Sequence, residues 1–169
     1  MAIADDLEQI ARQERELQFV RFDHEIAWRL GLTLRDLAVV RGHRVVIDVR
    51  RFGQQLFLSA LEQTTPDNLE WVRRKTNTVA RLLRSSYAVG LSLEQKQSTL
   101  SAKYALAAAD YVSHGGSFPL AVVGAGVLGA VTVSGLDQRA DHELVVEALC
   151  LCLGKSYEEL KLASPDEQA

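Results

Sequence analysis

Cysteine is scarce in this chain, which has only Cys150 and Cys152. Both lie on one predicted helix, where a separation of two residues places their side chains about 200° apart around the axis. A disulfide between them is not expected, because its geometry requires the two Cβ atoms to face each other. Reduced cysteines are typical of proteins in the cytoplasm.

The sequence also has no run of about 18 uncharged apolar residues, the length that a membrane-spanning helix needs. Its first residues, MAIADDLEQIARQERE, form an acidic helical pattern. A secretion signal would instead have a basic region followed by an apolar stretch. These observations predict a cytoplasmic protein that neither spans a membrane nor is secreted.

An excess of positive charge is missing as well. The chain has 19 Lys and Arg against 22 Asp and Glu, which gives a net charge of −3 and a pI near 5.8. Proteins that hold nucleic acid by neutralising its phosphates are usually basic, so nucleic acid is disfavoured as a partner. With 169 residues, 47% of them hydrophobic, the chain is expected to form one domain over residues 1–169.

Hydrophobic periodicity predicts an alternation of helices and strands. In the first half of the chain we expect a helix over about 3–16, a short strand over 17–21, a helix from the N-cap Asp23 to Gly42, and strands over 44–51 and 55–62. In the second half we expect a helix from Thr65 and Pro66, one or two short helices within 87–111, strands over 117–123 and 127–135, and a helix over 138–152. This order predicts an α+β domain with helices packed on one sheet. A loose polar tail is expected over about 164–169.

A glycine-rich segment, Gly124-Ala125-Gly126-Val127-Leu128-Gly129, matches the G-x-G-x-x-G pattern of dinucleotide-binding proteins. In those proteins the glycines open a helix that faces the pyrophosphate. Here a β-branched strand follows instead, and only 40 residues remain after Gly129. We therefore interpret the segment as a hairpin turn and reject NAD or FAD binding through it.

The triplet Asp-His-Glu occurs at 23–25 and at 141–143, each time in the first turn of a predicted helix. Acidic residues favour that turn because they offset its partial positive charge. Neighbouring side chains on a helix point about 100° apart, and neither triplet has an H-E-x-x-H partner. We predict no dedicated metal site, although His24, His114 and His142 are the imidazoles that one would use.

The helix that begins at Thr65 and Pro66 has the clearest cluster of basic residues. Its predicted inner face consists of Leu69, Val72, Thr76, Val79 and Leu83. Its basic residues are Arg73, Arg74, Lys75, Arg81 and Arg84, and no Asp or Glu occurs between Glu70 and Glu94. This surface could receive the carboxylates or phosphate of a small ligand, contact an acidic surface on another subunit, or simply face solvent.

Two further positions are candidates for a special role. His114-Gly115-Gly116 places a histidine on a glycine-rich connection, where the imidazole can face a ligand and bare backbone can approach it closely. The same glycines would serve equally well in an ordinary turn. Asp48 lies among β-branched apolar residues on a predicted strand, and we expect it to pair with a neighbouring arginine.

Four segments together resemble the haem-degrading-domain superfamily, which contains the GlcG- and HbpS-like proteins. They are VIDVRRFG at 46–53, PDN and WVRRK within 66–75, HGGSFP at 114–119, and TVSGL and DHELV within 132–145. The resemblance implies a profilin- or PAS-like fold with a central antiparallel sheet of about five strands and helices on its faces. It also implies homo-oligomers built from dimers, and haem as a ligand of some members. Where the superfamily usually has Gly-Gly-x-Pro, this chain has two residues between Gly116 and Pro119, so its motif is one residue longer.

Three functions follow as hypotheses. The first is a cytoplasmic, homo-oligomeric module that binds a small anionic ligand, with haem as the leading candidate. Its site residues would be His114, Gly115 and Gly116, with Arg73, Arg74 and Arg81 available for carboxylates. The second is a haem-degrading enzyme, and the third is a protein-interaction component without a small ligand.

Overall fold

The computed structural model describes residues 2–164. The helices in this range are α1 (Ala2–Glu16), α2 (His24–Val40), α3 (Pro66–Leu82), α4 (Ser86–Gln95), α5 (Leu100–Tyr104), α6 (Gln138–Leu153) and α7 (Tyr157–Leu160). The strands are β1 (Val46–Arg51), β2 (Gln54–Ala60), β3 (Ser117–Val122) and β4 (Gly126–Ser134). Apart from Ser164, the predicted loose tail lies outside the described residues.

The strands form one antiparallel sheet in the order β2-β1-β4-β3. The expected α+β class is confirmed, but the expectation of about five strands is wrong for residues 2–164, which contain four. The predicted short strand over 17–21 contributes only an isolated parallel bridge between Phe19 and Val122. Asp23 starts α2 four residues after Phe19, by accepting a hydrogen bond from the Ile26 N–H, so too little extended chain remains for a ladder.

One face of the sheet forms the main hydrophobic core. Alternate residues of β1, β4 and β3 point to this face and are buried under α2 and α6. The inward side chains of the strands are Ile47, Val49, Phe118, Leu120, Val131 and Val133. The alternation predicted for β1 is therefore confirmed.

The opposite face of the sheet is buried under α3 and is polar. Thr132 of β4 lies at its centre, where its hydroxyl is 2.9 Å from that of Thr76 on α3 and 2.8 Å from that of Ser117 on β3. On the same face, Asp48 accepts two hydrogen bonds from Arg50, at 2.6 and 2.7 Å. The expected pairing of Asp48 with an arginine is confirmed, and the buried carboxylate has the partners that burial of a charge requires.

The glycine-rich segment forms a hairpin turn between β3 and β4, as predicted. Gly124 and Gly126 have φ values of +80° and +85°, which glycine adopts without steric cost. Ala125 donates a backbone hydrogen bond of 2.9 Å to Val122. The chain then continues as β4, so no helix N-terminus is available for a pyrophosphate.

Helix α1 packs against α4, where Ile10 is buried against Tyr87, Ala88 and Leu91. Within residues 2–164, no helix has both the length and the apolar character needed to cross a membrane.

Candidate functional site

A small polar cleft of about 250 Å³ lies where α3, the end of β4 and the start of α6 meet. Helix α3 contributes three residues from its first three turns, β4 contributes its last residue, the β4–α6 connection contributes two, and α6 contributes two. The loop before β3 adds His114 to the rim. The lining residues are Asn68, Trp71, Lys75, His114, Ser134, Gly135, Leu136, Gln138 and Asp141.

A buried ion pair forms part of the cleft wall. Lys75 Nζ lies 2.8 Å from Asp141 Oδ2, and the two side chains are only 3% and 2% exposed. Lys75 also donates to the Val133 carbonyl at 3.0 Å, and Asp141 accepts from the Leu136 N–H at 3.0 Å. Burial lowers the pKa of Lys75 and raises the pKa of Asp141, while their mutual attraction opposes both shifts. The pair fastens α3 to the start of α6.

The two predicted glycines bring the His114 loop against this pair. Gly116 has a φ of +125°, and a Cβ there would lie 2.8 Å from Lys75 Nζ and overlap with the Val133 carbonyl oxygen. A Cβ at Gly115 would overlap with the Gln138 carbonyl oxygen. Only glycine allows this approach, so the pair of glycines fixes where His114 stands.

His114 itself is exposed and lies edge-on to Trp71, with 5.1 Å between the ring centroids. Partial burial of the ring and the nearby charges of Lys75 and Arg74 lower the pKa of His114. The imidazole is therefore neutral at pH 7, with one ring nitrogen free to accept a hydrogen bond or to bind a metal centre.

His114 also borders a second cavity, a groove of about 360 Å³ on the side of α4 and α5. The apolar side chains of this groove are Leu93, Leu100, Leu106, Tyr111 and Val112, and the lining also includes Glu94 and several hydroxyls. The imidazole thus stands on a ridge, with the polar cleft on one side and the apolar groove on the other.

The three arginines predicted for the site have different positions. Arg74 places its guanidinium carbon 4.5 Å from the Trp71 ring centroid, next to His114. Arg73 is engaged by Glu70 at 3.1 Å and by Asp110 at 3.0 Å, and so holds the loop that precedes His114. Arg81 is exposed and lines neither cavity.

The structure therefore brings together His114, Gly115, Gly116 and Arg74. Trp71 and the pairing of Lys75 with Asp141 also belong to this site, although no sequence motif indicated them.

The two Asp-His-Glu triplets do not converge. In the second, Asp141 pairs with Lys75, whereas His142 is buried against Gln13 on α1, with 2.9 Å between His142 Nε2 and Gln13 Oε1. His24 is exposed at the first turn of α2. No group of three or more His, Cys, Asp or Glu within residues 2–164 is arranged to hold a metal ion.

A larger groove of about 610 Å³ lies between α2, the end of α6 and the chain around Phe19. Its apolar residues include Val20, Leu32 and Leu151, and both signs of charge are present in Arg29 and Asp36. Cys152 also lines it, and both Cys150 and Cys152 are free thiols, in agreement with the expectation that they do not pair.

These features define an α+β domain with a four-stranded antiparallel sheet, helices on both faces and a histidine ridge between two cavities. The sequence profile described as "Haem degrading protein HbpS-like" matches residues 22–150. The chain belongs to this HbpS-like family, which confirms the resemblance drawn from the four sequence segments.

Individual relatives extend the match over most of the chain. The UPF0303 protein BTH_I2506 of Burkholderia thailandensis is 61% identical over 163 residues, which cover 96% of this chain and 99% of that protein. The crystal structure of the Ybr137w protein superposes with a TM-score of 0.82 at 26% identity, covering 90% of this chain and 92% of that one. The crystal structure of a PduOC:heme complex superposes with a TM-score of 0.66 at 15% identity, covering 78% and 94%, which shows a common fold.

Proposed function

We propose that this protein is a cytoplasmic module that binds a small anionic ligand with an apolar body, with haem as the candidate, at the His114 ridge. One observation carries the proposal: the imidazole of His114 lies between an apolar groove and a polar cleft and lines both. Ligand sites combine largely apolar walls with a few polar groups that fix orientation, and this pair of cavities has that character.

The residues on the ridge fit an iron porphyrin chemically. A neutral histidine nitrogen is a common axial ligand of haem iron, and His114 has one available. The side chains of Leu93, Leu106 and Tyr111 offer apolar contact to a macrocycle. Arg74 offers a guanidinium for a propionate, since it is held on Trp71 and not in an ion pair between described residues.

The comparisons support the same ligand. The family description names haem, and a protein of the same fold was crystallised with haem. When bound, the iron porphyrin would supply a metal centre that accepts the imidazole nitrogen, while the chain supplies His114, the apolar wall and Arg74.

Titration of the purified protein with haemin, followed by the Soret band, tests the proposal. We expect a saturable one-site shift, and we expect His114→Ala to weaken binding by at least about tenfold, the equivalent of about 1.4 kcal/mol. His24→Ala is the matched control, because it also removes an exposed imidazole, but one at the start of α2 that lines neither cavity. Equal affinity in all three proteins would overturn the assignment of His114.

We further propose that the groove between α2 and α6 contacts a second copy of this chain, as in the homo-oligomers that the family resemblance implies. Val20 is 88% exposed and Leu151 59%, and both line the same groove, so this groove presents large apolar side chains to solvent. Arg29 and Asp36 supply opposite charges two turns apart on the same face of α2, so the patch can be complementary to itself about a two-fold axis.

Light scattering after size-exclusion chromatography tests this interface. The wild-type protein is expected to have at least twice the 18.7 kDa mass of the chain. Leu151→Glu is expected to shift the mass to that of the monomer, whereas Leu83→Glu, at an exposed leucine after α3, is expected to leave the oligomer intact. A monomeric wild type, or an oligomer unaffected by Leu151→Glu, would contradict the proposal.

A further inference from the structure

The ammonium group of Lys75 has one N–H donor that no contact within residues 2–164 uses. An ammonium group carries three N–H donors, and contacts among residues 2–164 engage two of them, through the Val133 carbonyl and Asp141. Gly116 keeps the space beside Nζ free of a side chain, because any Cβ there would lie 2.8 Å from the nitrogen. Lys75 nevertheless lines the cleft and is therefore within reach of a small molecule inside it.

The charges of the cleft favour a neutral occupant. Among its lining residues the full charges are those of Lys75 and Asp141, which cancel at a separation of 2.8 Å, and His114 is neutral at pH 7. Asn68, Ser134 and Gln138 add uncharged hydrogen-bonding groups. A volume of about 250 Å³ limits the occupant to a small molecule.

The geometry points to a covalent site: Lys75 forms an imine with a small neutral aldehyde or ketone held in the cleft. An amine next to a carboxylate in a small polar cavity has what this reaction needs, namely a nucleophile and a group that moves protons. Burial, which lowers the pKa of Lys75, increases the share of neutral amine at a given pH. The cleft lies on the side of His114 away from the apolar groove that would hold the macrocycle, so the reaction does not require bound haem.

The step balances without an oxidant or a reductant. Asp141, within hydrogen-bond distance, first accepts one proton from the ammonium, and the freed lone pair of Nζ attacks the carbonyl carbon while the carbonyl electrons move to oxygen. Asp141 gives that proton to the oxygen, which becomes a hydroxyl, and then carries a second proton from the nitrogen to the hydroxyl. Water departs as the nitrogen lone pair forms the C=N bond, and the third proton of the ammonium stays on the imine nitrogen. The products are one imine and one water, and Asp141 remains as the counter-ion of the protonated imine.

Reductive trapping of the wild-type protein tests this inference. The protein is treated with a limiting amount of propanal and sodium cyanoborohydride at pH 7, and modified lysines are located by peptide mass spectrometry. The sequence has four other lysines, all more exposed than Lys75, which act as internal controls: Lys96, Lys103, Lys155 and Lys161. We expect the added mass at Lys75 before any of these four.

A large aldehyde provides the second arm. With an oxidised dextran, a polymeric aldehyde far larger than the cleft of about 250 Å³, the exposed lysines are expected to react and Lys75 to stay unmodified. Equal labelling of Lys75 by both aldehydes would indicate that unfolding exposes the amine, and this would overturn the inference. It would also be overturned if propanal modified the four exposed lysines and spared Lys75. Neither arm depends on haem, so this inference can fail while the proposed function stands.

Discussion

Replacing Lys75 by methionine is expected to lower the free energy of unfolding by about 3–5 kcal/mol, the usual cost of leaving one partner of a buried ion pair alone. The reason is that Asp141 would keep its carboxylate in a site that is 2% exposed, without the ammonium 2.8 Å away. The Val133 carbonyl would also lose its donor. Urea denaturation followed by circular dichroism measures the change.

The double variant Lys75→Met, Asp141→Asn separates the cost of the unpaired charge from the cost of altered packing. An asparagine oxygen can still accept from the Leu136 N–H, so most of the lost stability is expected to return. Arg73→Met is the control on the same helix, because it breaks ion pairs with Glu70 and Asp110 that are exposed, and it is expected to change stability little. A loss in Lys75→Met no larger than that in Arg73→Met would contradict the importance of the buried pair.

The stability of the protein is also expected to fall as the pH drops below about 6.5, because of His142. The His142 ring is fully buried next to Tyr87 and Phe118. Gln13 uses its Nε2 to donate to the Leu160 carbonyl, so its Oε1 must accept from His142 Nε2. In the neutral imidazole Nδ1 is therefore the unprotonated nitrogen, and it has no hydrogen-bond partner among residues 2–164.

Burial, with a smaller contribution from the charge of Arg139, lowers the pKa of His142 to about 3. In the unfolded chain a histidine binds its proton at about pH 6.5. Below that pH the unfolded state gains a proton that the native state does not take up until about pH 3. Neutral His142 therefore makes its full contribution to the free energy of unfolding above pH 6.5. As the pH falls, this contribution is lost at about 1.4 kcal/mol per pH unit, and the total loss is about 5 kcal/mol.

His142→Gln isolates this effect, since a glutamine amide can donate to Gln13 but does not titrate. Between pH 6.5 and pH 4.5 the wild type is expected to lose about 2–3 kcal/mol more than the variant in urea denaturation. Asp141 and Glu143 are present in both proteins, so their titration cancels in the comparison. Parallel pH profiles for the two proteins would contradict a neutral, buried His142.

Periodicity alone predicted most of the architecture, because the strands bury one apolar face and the helices are capped locally. Asp23 and Thr65 are N-cap residues whose side chains act within three residues, so a single sequence window contains the whole signal. The prediction of a fifth strand was wrong because the signal for it is not local. Whether the chain around Phe19 forms a ladder depends on how β3 lies beside it, which is a long-range property.

The burial of Lys75 was not predicted, because Lys75 lies next to several arginines and was grouped with them as part of an exposed basic surface. In the structure, Leu69 and Leu83 of the predicted inner face are exposed, while Lys75 and Thr78 are buried. The sheet face under α3 is polar, so apolar spacing was a poor guide to the buried side of this helix. The spacing did contain a local indication, since Lys75 lies three residues after Val72 and four before Val79 and so shares their helix face. Its partner Asp141, however, is 66 positions away and could not be predicted locally.

The loop with His114 could be selected from sequence because its glycines stand out. The sequence also indicated basic residues nearby but could not rank them. Only the fold distinguishes Arg74 on Trp71 from Arg73, which is engaged by acidic neighbours, and from the exposed Arg81.

The most direct test of the His114 ridge is a map of ligand-induced shifts in the amide NMR spectrum, using gallium protoporphyrin IX as a diamagnetic analogue of haem. We expect saturable shifts centred on His114, Tyr111 and Trp71, which are lost in His114→Ala. Shifts centred instead on Val20 and Leu151, or shifts that grow without saturation in both proteins, would contradict it.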